Sequence, residues 1–234
     1  MSTRRRGLPV RAAAPPTIAS LWRRLERWLR AHLPEVMKDL SPGASSRTIS
    51  RWQKEMGCSL PADVQAFYRR HNGQAGKAST GPFFGLHFLP LSRAHQSWRS
   101  WRDLLERDPA MMREIAEGSS RSNPPSAIKP DYANTSWIPF AHDHGGNYLG
   151  LDLDPGPLGT HGQVINFGRD EDAKFVLAPS FGEFFAWLVH ELEAGNAMIR
   201  VEDDGGRSLN TKRPKTRHFL ASVPKLFSMP RRPR

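Results

Sequence analysis

Residues 137–172 are the stretch that most constrains the fold, and they read WIPFAHDHGGNYLGLDLDPGPLGTHGQVINFGRDED. Apolar and polar residues alternate across residues 148–154, and this period of two predicts a β-strand with one buried face. Residues 163–168 are rich in β-branched and aromatic side chains and predict a second strand, with a third at residues 137–141. Glycine, proline and acidic residues separate these runs. The stretch therefore predicts a small antiparallel meander with polar turns clustered at its ends.

Helical patterns flank the meander on both sides. Residues 18–33 place apolar side chains at helical spacing with arginines between them. Capping and stop residues predict further helices at residues 46–56, 61–71, 98–115 and 180–194. Further strands are predicted at residues 83–91, 174–178 and 197–201, and a long loop at residues 118–136. This order predicts an α+β fold, an antiparallel sheet meander with helices packed on one side, and not a doubly wound parallel sheet.

The net charge of +11 is concentrated at the two ends of the chain. Residues 1–17 carry four arginines and residues 205–234 carry nine basic residues, and neither segment contains an acidic residue. The intervening residues 18–204 are slightly acidic, with 21 basic and 23 acidic side chains. We therefore predict a basic N-terminal tail (1–17), a folded domain (18–204) and a basic C-terminal tail (205–234). Both tails are predicted to be disordered, because they are basic and proline-rich and lack apolar periodicity.

Several functional classes find no support in the sequence. It contains no apolar run of the ~20 residues that a transmembrane helix needs, and no apolar core typical of a secretory signal. It contains no Walker A motif, no strand-linked G-x-G-x-x-G and no G-x-S-x-G nucleophile elbow. Its single cysteine, Cys58, forbids an intrachain disulfide. We expect a cytoplasmic monomer without a cofactor.

Two groups of motifs, one in each half of the chain, have a recognisable order. The first group runs from Ile49 through Glu55-Met-Gly57, Leu60-Pro61-x-Asp63 and Phe67-Tyr68 to His71-Asn72-Gly73. The second comprises Gly145-Gly-Asn-Tyr-Leu-x-Leu-Asp-Leu-Asp-Pro155, Gly162-Gln-Val-Ile165 and Ser180-Phe-x-Glu-Phe184. Their order and spacing resemble the SUKH superfamily, specifically its Smi/Knr branch of cell-wall assembly regulators. The resemblance covers residues 18–195 and leaves out the basic tails.

The resemblance implies an α+β domain with no established catalytic machinery, and thus a protein that is not an enzyme. It implies a non-enzymatic protein-binding regulator, acting in cell-wall assembly and glucan synthesis regulation or as an immunity protein in toxin neutralisation. The expected partner is accordingly a protein, either a toxin or a component of cell-wall synthesis or signalling. Fold and family do not fix which partner it is.

The polar turns of the meander are the predicted partner surface, because loops on a rigid scaffold commonly carry binding residues. The residues assigned to this surface are Trp137, Asp143, Gly145, Gly146, Asn147, Asp152, Asp154, Pro155 and Gly156.

A metal site formed by His142 and His144 with Asp152 or Asp154 is an alternative reading, since histidines two residues apart on an extended chain point to one side. We favour turn stabilisation and predict no metal, because aspartates beside turns commonly accept backbone N–H groups.

The basic ends support a second functional hypothesis of a different class. Charge alone would let them hold nucleic acid or an anionic membrane surface. Under this hypothesis binding collapses with added salt and with loss of the tails.

Overall fold

The computed structural model describes residues 15–228. A six-stranded sheet in the order β3-β5-β6-β7-β8-β4 forms its centre. The strands are β1 (Leu40–Pro42), β2 (His71–Gln74), β3 (His87–Phe88), β4 (Arg121–Asn123), β5 (Trp137–His142), β6 (Asn147–Asp152), β7 (Gln163–Gly168), β8 (Ala173–Ala178), β9 (Ala197–Val201) and β10 (Arg207–Thr211). All neighbours in this sheet are antiparallel except β4 and β8, so the predicted meander is its middle.

Helices cover one face of this sheet, as the α+β prediction requires. They are α1 (Ile18–His32), α2 (Pro34–Asp39), α3 (Ser46–Met56), α4 (Ala62–Arg70), α5 (Leu91–Arg107), α6 (Pro109–Ser119), α7 (Phe181–Glu193) and α8 (Val223–Phe227). Side-chain hydroxyls cap three of them: those of Thr17, Ser45 and Ser180 each accept a backbone N–H from the first turn. No helix within residues 15–228 is long and apolar enough to cross a membrane.

The main core lies between this face and helices α1, α4 and α7. Trp22 of α1 stacks on Phe67 of α4 with ring centroids 4.7 Å apart, and Phe67 meets Phe181 of α7 at 4.6 Å. Leu149 and Leu151 of β6 enter the same cluster from the sheet. Each such side chain contributes about 1.5–3 kcal/mol through burial. Helix α4 therefore belongs to the core through Val64, Phe67 and Tyr68.

The opposite face of the sheet is also covered, which corrects the prediction that β6 has only one buried face. A smaller apolar cluster of Ile128, Trp137, Ile165 and Phe167 lies there, with Tyr148 packed against it. Ile128 belongs to the long loop before β5, and that loop covers the cluster. Consequently Asp152, on this second face of β6, is fully buried.

Two local predictions change in detail. Of the predicted strand 83–91, only β3 pairs with β5, because Phe84 and Gly85 have φ angles of 49° and 99° and turn the chain back on itself. The predicted loop 118–136 contains β4, which adds to β8 in parallel at the far edge. Parallel pairing of distant segments leaves no alternating pattern that a local reading would detect.

The prediction of a disordered basic C-terminal tail is wrong for residues 205–228. Strand β10 pairs with β9 along five residues, and Phe219 stacks on Phe84 with ring centroids 5.4 Å apart. The apolar residues spaced among the basic ones, Leu209, Phe219, Leu220 and Val223, are buried, whereas Lys212, Arg213, Lys215 and Arg217 remain exposed. Burial of the apolar minority is enough to order the segment. Residues 1–14 and 229–234, which include most of the predicted N-terminal tail, lie outside the described residues.

Candidate functional site

The turn between β5 and β6 is organised by the carboxylate of Asp143. Its Oδ1 accepts the backbone N–H groups of Gly145 and Asn147 at 2.6 and 3.0 Å, and its Oδ2 accepts the Asn147 side-chain amide at 2.8 Å. Gly146 takes a φ of 99°, a conformation that glycine adopts without strain. Asn147 is buried and also accepts the Asp170 N–H through its side chain. Gly145 is exposed and Asp143 and Gly146 partly so, which leaves them accessible to a partner.

The loop after β6 is organised by a buried aspartate. Asp152 accepts the Gln163 side-chain amide at 2.8 Å and the Asp154 N–H at 3.1 Å. Burial raises the pKa of Asp152 above its ordinary value, and these hydrogen bonds act in the opposite direction. Asp154 is half-exposed and its Oδ2 lies 2.6 Å from the Lys129 ammonium, which lowers the pKa of Asp154. The contacts show the predicted acceptance of a backbone N–H for Asp152. Within residues 15–228 the Asp154 carboxylate instead accepts from the side chains of Lys129 and Asn134.

The two turns do not form one surface, because they lie at opposite ends of β6. A strand of six residues separates them by roughly 20 Å at ~3.4 Å per residue. Among the predicted surface residues, the side chains of Trp137, Asn147 and Asp152 are buried, and Gly156 is buried against the backbone of Ser126. These four support the turns from inside. Direct contact with a partner stays a prediction for Asp143, Gly145, Gly146, Asp154 and Pro155.

Beside the β5–β6 turn opens a cleft of about 810 Å³. We call it the histidine cleft, and its basic residues are His87, His142, His144 and Arg93. His87 of β3 lies directly opposite His142 of β5 in the sheet. The ring centroid of His144 lies 4.1 Å from that of His142 and 4.4 Å from that of His87. Polar side chains of β2 and α5 and the ring of Tyr148 complete the walls.

His142 and His144 are held in their neutral form near pH 7. Burial, and after it the nearby charges of His144 and His87, lower the pKa of His142 to about 4. Burial also lowers the pKa of His144, and the charge of His87 lowers it to a smaller extent. His87 is mostly buried, and its Nε2 lies 3.1 Å from the Ala78 carbonyl oxygen. A carbonyl only accepts, so Nε2 of His87 carries the proton.

The structure does not bring together the residues of the alternative metal site. Asp152 and Asp154 lie beyond the far end of β6 from His142 and His144, so the set does not converge. Within residues 15–228, no group of three or more His, Cys, Asp or Glu side chains is arranged to hold a metal ion. The polar groups that line the cleft are imidazoles, amides, hydroxyls and one permanent cation, Arg93.

Sequence reasoning missed His87 and Arg93 as neighbours of His142 and His144. No local spacing connects them, since about fifty residues separate the two pairs along the chain. The informative signal would have been the register of β3 against β5, which places His87 opposite His142.

Helices packed against a mostly antiparallel sheet form a SUKH-like α+β arrangement. The sequence profile of the SMI1 / KNR4 family (SUKH-1) matches residues 43–187. The chain belongs to this family, which confirms the resemblance drawn from the motifs.

Three relatives show how far the similarity extends. The "Cell wall biosynthesis/cell cycle regulator smi1" of Schizosaccharomyces pombe is 35% identical over 202 residues, covering 84% of this chain and 40% of the relative. The "Cell wall assembly regulator SMI1" of Saccharomyces cerevisiae is 31% identical, covering 78% and 42%. The "Glucan synthesis regulatory protein" of Neurospora crassa is 31% identical, covering 88% and 42%. The chain thus spans about two fifths of the length of the curated relatives it matches.

Proposed function

We propose that this chain is a non-enzymatic, protein-binding regulator of cell-wall assembly and glucan synthesis. The observation that carries the proposal is the family membership, joined with relatives that are similar over most of this chain and are named for these processes. Those names favour cell-wall regulation over toxin neutralisation. The partner is a protein of the cell-wall synthesis or signalling machinery, bound by the protein as a monomer.

The exposed parts of the sheet edge support this proposal. The Asp143–Gly146 turn and the histidine cleft lie side by side at one end of β5 and β6, where a partner reaches both at once. The backbone of the turn is fixed by three hydrogen bonds to Asp143, so little conformational entropy is lost on binding. The Asp154–Pro155 turn at the other end of β6 forms a second, separate contact.

The test is affinity capture with the full chain from its source organism, combined with deletion of the gene. We expect capture of a cell-wall synthesis or signalling protein, and a changed glucan content of the wall after deletion. Charge reversal by Asp143→Lys should weaken the capture, with Asp103→Lys on the exposed side of α5 as a matched control. Unchanged glucan after deletion would refute the regulatory role.

The basic C-terminal segment provides the discriminating control for the nucleic-acid or membrane hypothesis. Removing it also removes buried residues such as Phe219, so deletion would confuse binding with folding. Replacing the exposed Lys212, Arg213, Lys215 and Arg217 by glutamine removes the charge and keeps the fold. Capture that survives this change and ~0.5 M salt supports a protein interface, whereas its loss supports binding by charge alone.

A further inference from the structure

We infer that the histidine cleft binds a phosphorylated side chain of a protein partner. The inference rests on the proposed function, because it assigns a chemistry to the partner of that regulator.

The walls of the cleft are suited to an anion. None of the described residues that line it carries a carboxylate, while one guanidinium and three imidazoles do line it. Arg93 is exposed, and one of its N–H groups donates to the side-chain oxygen of Gln96 at 2.8 Å. Its other N–H groups are available to an oxyanion. The hydroxyls of Ser92 and Ser97 lie along the same wall, whereas that of Ser100 donates to the Gln96 carbonyl at 3.1 Å. The lining therefore carries one positive charge and no negative charge.

The ring nitrogens of the cleft are available to a ligand. Within residues 15–228, the hydrogen bond between Nε2 of His87 and the Ala78 carbonyl is the only one made by a ring nitrogen of His87, His142 or His144. Because the Ala78 carbonyl fixes the proton of His87 on Nε2, Nδ1 becomes a donor only when the ring takes up a second proton. An anion bound beside it would stabilise that proton.

Anion binding is thereby coupled to proton uptake. The charged groups facing His142 are His144, His87, Arg93 and Asp143, and all but Asp143 disfavour the protonated ring. A dianion placed among them reverses this balance and raises the pKa of the rings. Affinity should therefore increase as the pH falls from about 8 to about 6.5, where a phosphate monoester still carries much of its second charge.

The amino end of α5 faces the same space. Leu91 N–H donates to the Asn72 side chain at 3.0 Å, and the N–H groups of Arg93 and Ala94 donate to the Pro90 carbonyl at 2.9 Å. The Ser92 N–H is the first-turn group left for a ligand. Ser92 and Arg93 of the first turn line the cleft. The positive end of this 17-residue helix adds to the field of the imidazoles, and phosphate groups bind such ends readily.

The size of the cleft indicates that the phosphate is attached to something larger. Pockets of ~300–1,000 Å³ hold drug-sized ligands, and this cleft has a volume of about 810 Å³. A free phosphate would fill a small part of it and leave the wall formed by Gln96, Ser97 and Ser100 unused. A phosphorylated residue together with its chain neighbours would contact that wall.

The experiment uses the full chain and three probes: inorganic phosphate, a short phosphoserine peptide and the same peptide without phosphate. Isothermal titration gives the affinities, and NMR of the imidazole nitrogens reports protonation of the wild-type rings without any substitution. We expect the phosphopeptide to bind about tenfold more tightly than inorganic phosphate, the unmodified peptide not to bind, and affinity to rise about tenfold from pH 8 to pH 6.5.

Arg93→Gln and His142→Gln should each weaken binding about tenfold. The exposed His190→Gln on α7 and Arg99→Gln on α5 are the matched controls.

The outcomes separate the two proposals. Equal affinity for phosphate and phosphopeptide would overturn the assignment of a phosphorylated partner, although a protein-binding regulator could still act through its turns. Imidazole resonances that do not respond to phosphate would overturn it without reference to any variant. Tight binding of zinc ions alone, lost in His142→Gln, would overturn it in favour of a metal site. If deletion of the gene leaves the glucan content of the wall unchanged while the protein still binds the phosphopeptide, only the proposed function is refuted.

Discussion

The substitution Glu26→Gln tests the central ion cluster of the fold. Glu26 lies on α1 and is almost fully buried. Arg70 donates to its two oxygens at 2.6 and 2.9 Å, and Nε2 of His71 lies 3.0 Å from Oε1. The other ring nitrogen of His71 lies 3.1 Å from the Ser41 carbonyl. One carboxylate thus connects α1 to the end of α4 and, through His71, to β1.

The magnitude follows from the pKa of Glu26. Burial alone would raise this pKa, but the hydrogen bonds from Arg70 and His71 outweigh it and lower the pKa from an ordinary 4.5 to about 2. Each pKa unit corresponds to about 1.4 kcal/mol, so ionised Glu26 contributes about 3 kcal/mol to the free energy of unfolding. Because the folded-state pKa is depressed, this contribution is complete above pH ~4.5 and is lost as the pH falls toward ~2.

The assay is urea unfolding of the wild-type chain and the variant at several pH values. We expect Glu26→Gln to be about 3 kcal/mol less stable at pH 7, with the difference shrinking toward pH 3. Glu193→Gln is the control, since Glu193 also contacts α1, through Arg24, but in a half-exposed pair worth at most about 1 kcal/mol. A Glu26→Gln difference that stays constant between pH 6 and pH 3, or one no larger than that of the control, would refute the reasoning.

Three further substitutions test other parts of the structure. Phe219→Ala should cost about 3–5 kcal/mol in urea unfolding, because it empties a buried aromatic position; a loss below about 1 kcal/mol would mean that the C-terminal segment does not dock. Asp39→Ala should lower stability by about 2–3 kcal/mol, since its buried carboxylate accepts the N–H groups of Gly76 and Lys77, and Asp39→Asn should recover part of the loss. Burial raises the pKa of Glu171 to about 7, so its contribution to stability is present below pH ~4.5 and is lost as the pH rises through 7. Glu171→Gln should therefore remove a stability loss that the wild-type chain shows between pH 5 and pH 7.5, and parallel profiles for the two proteins would contradict this.

The sequence alone determined the elements whose evidence is local. Helix α1 follows from its apolar spacing, α7 from its capping box, and strands β5 to β8 from alternation and turn residues, because each pattern is complete within a dozen residues. The family resemblance also rests on local motifs, and the family profile confirms it.

What the tertiary structure decided is which of these residues meet. Alternation along β6 indicated one buried face, but the loop carrying Ile128 covers the other, so Asp152 became an internal support and not a surface residue. Basic composition predicted disorder after residue 204, yet Phe219 packs against Phe84 and Trp187. The histidine cleft depends on the register of β3 against β5, and no local pattern encodes that register. Long-range strand pairing depends on the free energy of the whole packed core. A sequence pattern that spans a dozen residues carries no information about that free energy.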